Sequence, residues 1–294
     1  MACLVPPIYD ARYIQRSKPQ KTYPLLQDRY ERICAISRCT SNSIYLYRDI
    51  AETTGRKVVL KKPNRAVLLD QAAYNTVGKL LAVEGRALSR INHPGVVSLI
   101  SQGDGYLLLE YVHGKNLHDN KRSMSESAKL KTMLSLCDAL SAVHAAGIIH
   151  RDIKPANVVY NVSSTLLDFG CAKGDGLITE SESAENGGVT DYYGKAAFVG
   201  TIDFCPPENN SPSDVGKQSD LFSAGGVLYY LLTGDAPYEC KDDDDIYGRK
   251  LVTENDIASK VPRKFLPVLS KALQPLPENR HQSAEELKED LLRI

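Results

Sequence analysis

The chain has no glycine in its first 54 residues; the first is Gly55. The total of 20 in 294 is ordinary, so the deficit is one of placement. Net charge is also absent, with 36 Lys+Arg balancing 36 Asp+Glu. This argues against a dedicated nucleic-acid binder, which carries a basic excess to meet phosphate. No apolar run approaches the roughly 20 residues that cross a bilayer; the longest lies near Val227–Leu232. The opening Met-Ala-Cys-Leu-Val-Pro-Pro has neither a basic n-region nor a long apolar h-region, so no signal peptide is expected. The seven cysteines include no C-x-x-C pair, which argues against a zinc site or a disulfide framework. Scattered thiols suit a reducing cytoplasm.

What is present reads as globular. Hydrophobic residues make up 43% and charged residues 24%, enough apolar surface for one large domain or two small lobes. Residues 1–29 hold Pro6, Pro7, Pro19 and Pro24 without periodicity and are expected to form an extended arm. Ile44–Tyr47 and Lys57–Lys61 read as strands around the turn Glu52–Gly55. Residues 68–91 carry apolar positions at helical spacing, stopped by His93-Pro94-Gly95. Val96–Ile100 and Tyr106–Tyr111 read as strands around Gly103-Asp104-Gly105.

After His113-Gly114 the pattern turns helical. Ser123-x-x-Glu126 is expected to cap a helix running through Val143. Ser219–Leu232 is apolar nearly all round, the mark of a buried helix. Ser283-x-x-Glu286 opens a last helix that ends at Leu292. Asp242–Asp245 reads as a solvated loop. The whole implies an α+β chain, strand-rich first and helix-rich after.

Three segments carry chemistry. His150-Arg151-Asp152-Ile153-Lys154-Pro155-Ala156-Asn157 gathers a carboxylate, an ammonium and a carboxamide within six positions. Asp168-Phe169-Gly170 follows sixteen residues after Asp152. Lys61 closes the strand Val58-Val59-Leu60-Lys61, and Glu84 sits on the following helix. Singly, a strand lysine or a helix glutamate is most often a solvated surface residue. Together and in this order, they resemble a eukaryotic-type (Hanks-type) serine/threonine protein kinase over residues 30–294. The compact chain is similar to bacterial or archaeal members.

The resemblance implies a two-lobed protein-kinase fold. The N-lobe, 30–111, would be a small antiparallel sheet with one helix; the C-lobe, 112–294, would be mainly helical. It implies ATP and Mg²⁺ as cofactors, with Mn²⁺ as the alternative metal. Asp152, Lys154, Lys61 and Glu84 stand at the family's catalytic positions, and Asn157 and Asp168 at its metal positions. Ile36, Ser37, Ile44, Val59, Lys61, Leu109 and Val159, with the backbone of Glu110 and Val112, would hold the nucleotide. Gly200–Glu208 resembles the close of the activation segment, with Pro206 where Ala is usual and Arg280 positioned to pair with Glu208. Lys154 in Asp-Ile-Lys-Pro, together with Thr201, implies protein Ser/Thr acceptors. No nucleic-acid partner and no membrane span are expected, and the expected location is cytoplasmic.

The residue types match the reaction. Phosphoryl transfer depends on positioning and charge neutralisation more than on covalent chemistry. A lysine can hold α- and β-phosphates as a point charge. Asp and Asn offer the hard oxygens that Mg²⁺ prefers. Asp152 can accept or orient the proton of the attacking hydroxyl, and Lys154 can neutralise the moving phosphoryl group.

One element departs from the family. The glycine-rich loop should lie between Ile36 and Ile44, yet Ser37, Cys39 and Asn42 occupy its three glycine positions. Glycine there allows unusual φ values and close backbone approach to phosphate. Either the loop sits higher over the phosphates, or the chain is a pseudokinase-like scaffold with weak or no catalysis. The complete set of charged residues favours catalysis. A kinase-like enzyme for small molecules is a third reading, disfavoured by the peptide-shaping Gly200–Glu208 segment. In the family, an Arg at the position of Arg151 often pairs with a phosphorylated activation-segment residue. Thr179, Ser181, Ser183, Thr190, Tyr192 and Tyr193 are the candidates here, with Thr190 the first expectation for autophosphorylation. Cys171 is expected beside the nucleotide pocket as an inert buried thiol.

Overall fold

The computed structural model describes residues 26, 28–38, 42–66, 71–120, 124–178, 202–210, 215–239 and 250–294. The arm before residue 26, Cys39, Ser123, the candidate phosphorylation sites from Thr179 to Tyr193, Thr201 and Asp242–Asp245 lie outside them.

The first lobe is a five-stranded antiparallel sheet of spatial order β1-β2-β3-β5-β4. Its strands are β1 (Tyr30–Arg38), β2 (Asn42–Asp49), β3 (Lys57–Pro63), β4 (Leu99–Gly103) and β5 (Tyr106–Glu110). Period-two alternation sorts the side chains of β3. Val59 and Lys61 face inward, while Val58 and Leu60 join Tyr30, Tyr47 and Leu108 in a separate apolar cluster. Helix α1 (Gln71–Leu88) packs on β3, β4 and β5. Its buried Val77, Leu81, Val83, Ala87 and Leu88 recur at helical spacing.

The second lobe is mainly helical. After β6 (Lys115–Asn116) and the short α2 (Leu117–Asn120) comes α3 (Glu126–Ala145). Then follow β7 (Ile148–Ile149), β8 (Val158–Tyr160), β9 (Ser164–Leu166) and β10 (Lys173–Gly174). Beyond these lie α4 (Lys217–Thr233), β11 (Tyr238–Glu239), β12 (Lys250–Leu251), α5 (Glu254–Lys260), α6 (Leu266–Ala272) and α7 (Ala284–Leu292). Helix α4 is buried on all sides from Ser219 to Leu231, as its all-round apolar sequence requires. It stops at Gly234, whose φ of 90° closes the last turn. Ser283 caps α7 by accepting the Glu286 N–H.

Two local expectations need correction. The cap of α3, expected at Ser123, is Ser125, in extended backbone and accepting the Ala128 N–H. Glu126 is thus the first helical residue and cannot close a capping box. The strand expected at Val96–Ile100 begins instead at Leu99. Val96 and Val97 are spent joining the lobes: Val96 forms a parallel bridge with Leu166, and the Val97 N–H donates to the Leu166 carbonyl. Both are nearly fully buried, so their apolar run serves the contact between lobes.

Candidate active site

The site is assembled from four pieces of backbone. β3 supplies Lys61, α1 supplies Glu84, the loop after β7 supplies Asp152 to Asn157, and the turn after β9 supplies Asp168. Lys61 Nζ lies 2.7 Å from Glu84 Oε2 and 2.7 Å from Asp168 Oδ1. Residues 23 and 107 positions away thereby meet on one ammonium.

The electrostatics follow from two carboxylates sharing one buried cation. Burial works against the Lys61 ammonium, but the charges of Asp168 and Glu84 outweigh it and hold its pKa above the usual lysine range. For Asp168, burial opposes ionisation. The charge and hydrogen bond of Lys61, followed by Lys154, win and bring its pKa down to about 2. For Glu84, burial wins over Lys61, and its pKa is pushed up to about 7.

The second cluster surrounds Asp152. Lys154 Nζ is 2.8 Å from Asp152 Oδ2. Asn157 Nδ2 donates to the Asp152 carbonyl at 2.8 Å and to Asp152 Oδ2 at 2.9 Å. Burial would lower the Lys154 pKa, but the adjacent Asp152 charge raises it. A short 3₁₀ turn, Pro155–Asn157, brings these side chains together.

The loop itself is held from below. Asp220, fully buried near the start of α4, accepts the N–H groups of His150 and Arg151 and contacts His144 Nε2 at 2.9 Å. Burial would raise its pKa, but the His144 hydrogen bond and charge lead the contacts that lower it. Arg151 is thereby fixed at φ 65° and Asp168 is at 63°, a conformation that non-glycine residues rarely adopt. His150 accepts the Asp152 N–H on Nδ1, so Nε2 is the nitrogen that donates to the Leu167 carbonyl. Its ring meets Phe169 edge-on at 4.6 Å.

Above the polar cluster is a cleft lined by Ile44, Val59, Val97, Leu109 and Leu167, ending at Lys61, Glu84 and Asp168. Ile36 and Val159 belong to the same apolar core but do not line this cavity. The Glu110 N–H donates to the Ser98 carbonyl, so that N–H is spent within the protein. Val112 is half-buried just beyond β5. Ser37 is buried, and among the described residues its hydroxyl has no partner. Cys171 is half-buried; burial, then Asp152 and Asp168, pushes its thiol up to about 12. It is therefore a protonated, poorly nucleophilic group.

Residues 41–292 match the protein kinase domain. The chain belongs to the protein kinase family. The serine/threonine-protein kinase PknB of Mycobacterium leprae is 31% identical to it over 291 residues, covering 93% of this chain and 44% of that protein. PknB of Mycobacterium tuberculosis is 30% identical over 287 residues, covering 92% and 43%. The serine/threonine-protein kinase pkn3 of Myxococcus xanthus is 32% identical over 255 residues, covering 80% and 45%. The chain spans less than half the length of these relatives. Among the described residues, no helix is long and apolar enough to cross a membrane.

Within this kinase domain, sequence reasoning located both charged clusters. It missed Val97 and Leu167 as cleft residues, and the anchoring role of Asp220. A signal for Asp220 was present: a lone carboxylate at the head of a helix otherwise apolar all round must be paired when buried. Arg280 and Glu208 do meet, through a two-pronged bridge of 2.6 and 2.8 Å, with the Arg280 side chain wholly buried.

Proposed function

We propose that this kinase domain, spanning 30–294 with lobes meeting near residue 111, transfers the γ-phosphoryl group of Mg-ATP to Ser or Thr hydroxyls of proteins. The observation that carries the reading is the bridge from Lys61 to both Glu84 and Asp168. A scaffold with no phosphate to hold has no chemical need for a buried lysine kept between two carboxylates. The apolar cleft takes the base, and Lys61 holds the α- and β-phosphates.

The donor set fits Mg²⁺. Among the described residues, both hydrogen bonds that Asp168 accepts fall on Oδ1, leaving Oδ2 for a cation. Asn157 spends its Nδ2 on Asp152, leaving the amide oxygen for the same cation. Among the described residues, no group of three His, Cys, Asp or Glu could hold a metal. Asp168 and Asn157 therefore suit an ion that keeps waters and draws its other oxygens from phosphate, as Mg²⁺ does. When bound, the metal neutralises charge on the transferring phosphates.

Asp152, oriented by Asn157, takes or directs the acceptor hydroxyl proton. Lys154, beside it, meets the negative charge of the moving phosphoryl group. Autophosphorylation within residues 171–199, at Thr190 first, belongs to the same proposal. Transfer from labelled ATP to mixed Ser, Thr and Tyr peptides tests the reading: phosphoserine and phosphothreonine are expected, and phosphotyrosine alone would overturn the acceptor class. Tight nucleotide binding without any transfer would favour the scaffold.

A further inference from the structure

Helix α1 is tied to the segment that leaves the Asp168–Gly170 turn, and the tie is made by two arginines outside the catalytic set. Arg86 Nε donates to the Leu177 carbonyl at 2.6 Å. Arg90 Nη1 donates to the Asp175 carbonyl at 2.6 Å, and its Nη2 to the Gly176 carbonyl at 3.1 Å. Three consecutive carbonyls are thus held by two guanidinium groups, Arg86 in the last turn of α1 and Arg90 in the turn that closes it, where the Arg90 N–H donates to the Ala87 carbonyl. Cation-assisted bonds of this kind are stronger than neutral ones.

The segment is shaped for the contact. Gly176 has φ 67°, and a Cβ built on it would lie 3.2 Å from Arg90 Nη2. A side chain there would press on the guanidinium and strain the backbone together. The far end of the same stretch is also fixed: β10 pairs with β7, and β7 leads directly into His150. The tie therefore runs from the catalytic loop through 175–177 to α1. Glu84 lies two residues before Arg86, so whatever seats this turn of α1 also seats Glu84 on Lys61.

We propose that Arg86 and Arg90 are positioning residues that hold Glu84 against Lys61 by clasping the 175–177 carbonyls, with no phosphate needed on the segment. This rests on the kinase reading of the Lys61–Glu84 pair. The clasp makes the competent arrangement a property of the unmodified chain.

The test compares the wild-type chain with the double variant Arg86→Ala/Arg90→Ala and, separately, with Gly176→Ala, which loosens the clasp without altering α1. Amide hydrogen exchange is followed in the nucleotide-free proteins. Steady-state transfer is followed with saturating Mg-ATP. Expected are roughly tenfold faster exchange across Val77–Leu88 with α4 unchanged, and roughly tenfold lower kcat with a smaller change in the KM for ATP. Arg86→Lys/Arg90→Lys should recover part of the loss, because it restores the charge. Unchanged exchange of α1 in both loosened variants would overturn the clasp, even if the wild type proved inactive. A silent wild type with α1 loosened in the variants would leave the clasp standing and remove the kinase reading. Equal kcat in an active wild type and in both loosened variants would overturn the positioning role.

Discussion

Asp220 receives the N–H groups of His150 and Arg151 on separate carboxylate oxygens, each at 2.9 Å. A fully buried side chain on α4 thereby holds the backbone of the loop that carries Asp152. Its third contact, His144, comes from α3. The loop is fixed from the C-lobe core before any substrate arrives.

Asp220→Asn tests this anchor. The amide would put a donor where the loop already presents one, leaving a buried N–H unsatisfied at a cost of about 1–3 kcal/mol. Urea unfolding should show that loss near neutral pH. The Asp220 pKa is lowered in the folded chain. Its contribution is complete above the ordinary carboxylate range and fades as pH falls below about 4. The gap between wild type and variant should therefore close in acid, and a gap that widened in acid would contradict the assignment.

Arg280 and Glu208 form the second buried anchor, reinforced by Arg280 bonds to the Gln274 and Pro275 carbonyls. Removing one member leaves the other charge without its partner. Arg280→Ala should destabilise by about 3–5 kcal/mol, read as a lower denaturation midpoint. A loss below 1 kcal/mol, the scale of a surface pair, would contradict it.

Much of this architecture was legible in the sequence, and the exceptions have physical causes. Lys61, Glu84 and Asp168, and Asp152 with Asn157, could be picked out together because the family resemblance fixes residue type and order at once, and the structure brings each set into contact. Helix α4 was found because an all-round apolar run can only be buried, and strand β3 because its short apolar, β-branched run follows a turn. Val96 was misplaced into a strand because its burial comes from a contact with Leu166 far along the chain, which no local pattern records. The α3 cap was misassigned because Ser123 and Ser125 offer the same side chain in the sequence, and the cap is recognised only by the extended backbone of Ser125. The Arg86 and Arg90 clasp left no trace, since its acceptors are main-chain carbonyls.

Glu84 should impose a pH dependence on turnover. Burial lifts its pKa to about 7 in the folded chain. Below that pH it binds a proton, and Lys61 loses one of its two anions. The sign for stability is the reverse. A carboxyl with a raised folded pKa binds its proton more tightly when folded, so it weakens folding as pH rises from about 4.5 towards 7. The rate of transfer should therefore climb through an inflection near 7. Glu84→Gln should flatten that limb and lower its plateau; an unchanged limb would assign the ionisation elsewhere.

Ser37 occupies the first glycine position of the family's loop. It pairs across the sheet with Ile44, a residue of the cleft wall, and a bulge between Ala35 and Ser37 lets the buried Ile36 and Ser37 follow one another. Among the described residues its hydroxyl has no hydrogen-bond partner. Ser37→Ala should weaken ADP binding several-fold while leaving stability unchanged or up to about 1 kcal/mol higher, since a buried unsatisfied group costs energy. Isothermal titration and thermal unfolding read the two effects. Unaltered ADP affinity would remove Ser37 from the nucleotide site.

The central claim is that these clusters transfer phosphate. The most direct measurement is Mg-ATP-dependent phosphorylation by the wild-type chain and by Asp152→Asn, with folding of both checked by thermal unfolding. The account predicts a rate lower by about 10²–10⁴-fold in the variant, the range supplied by a positioned base, with nucleotide still bound. Equal rates in the two proteins would contradict it.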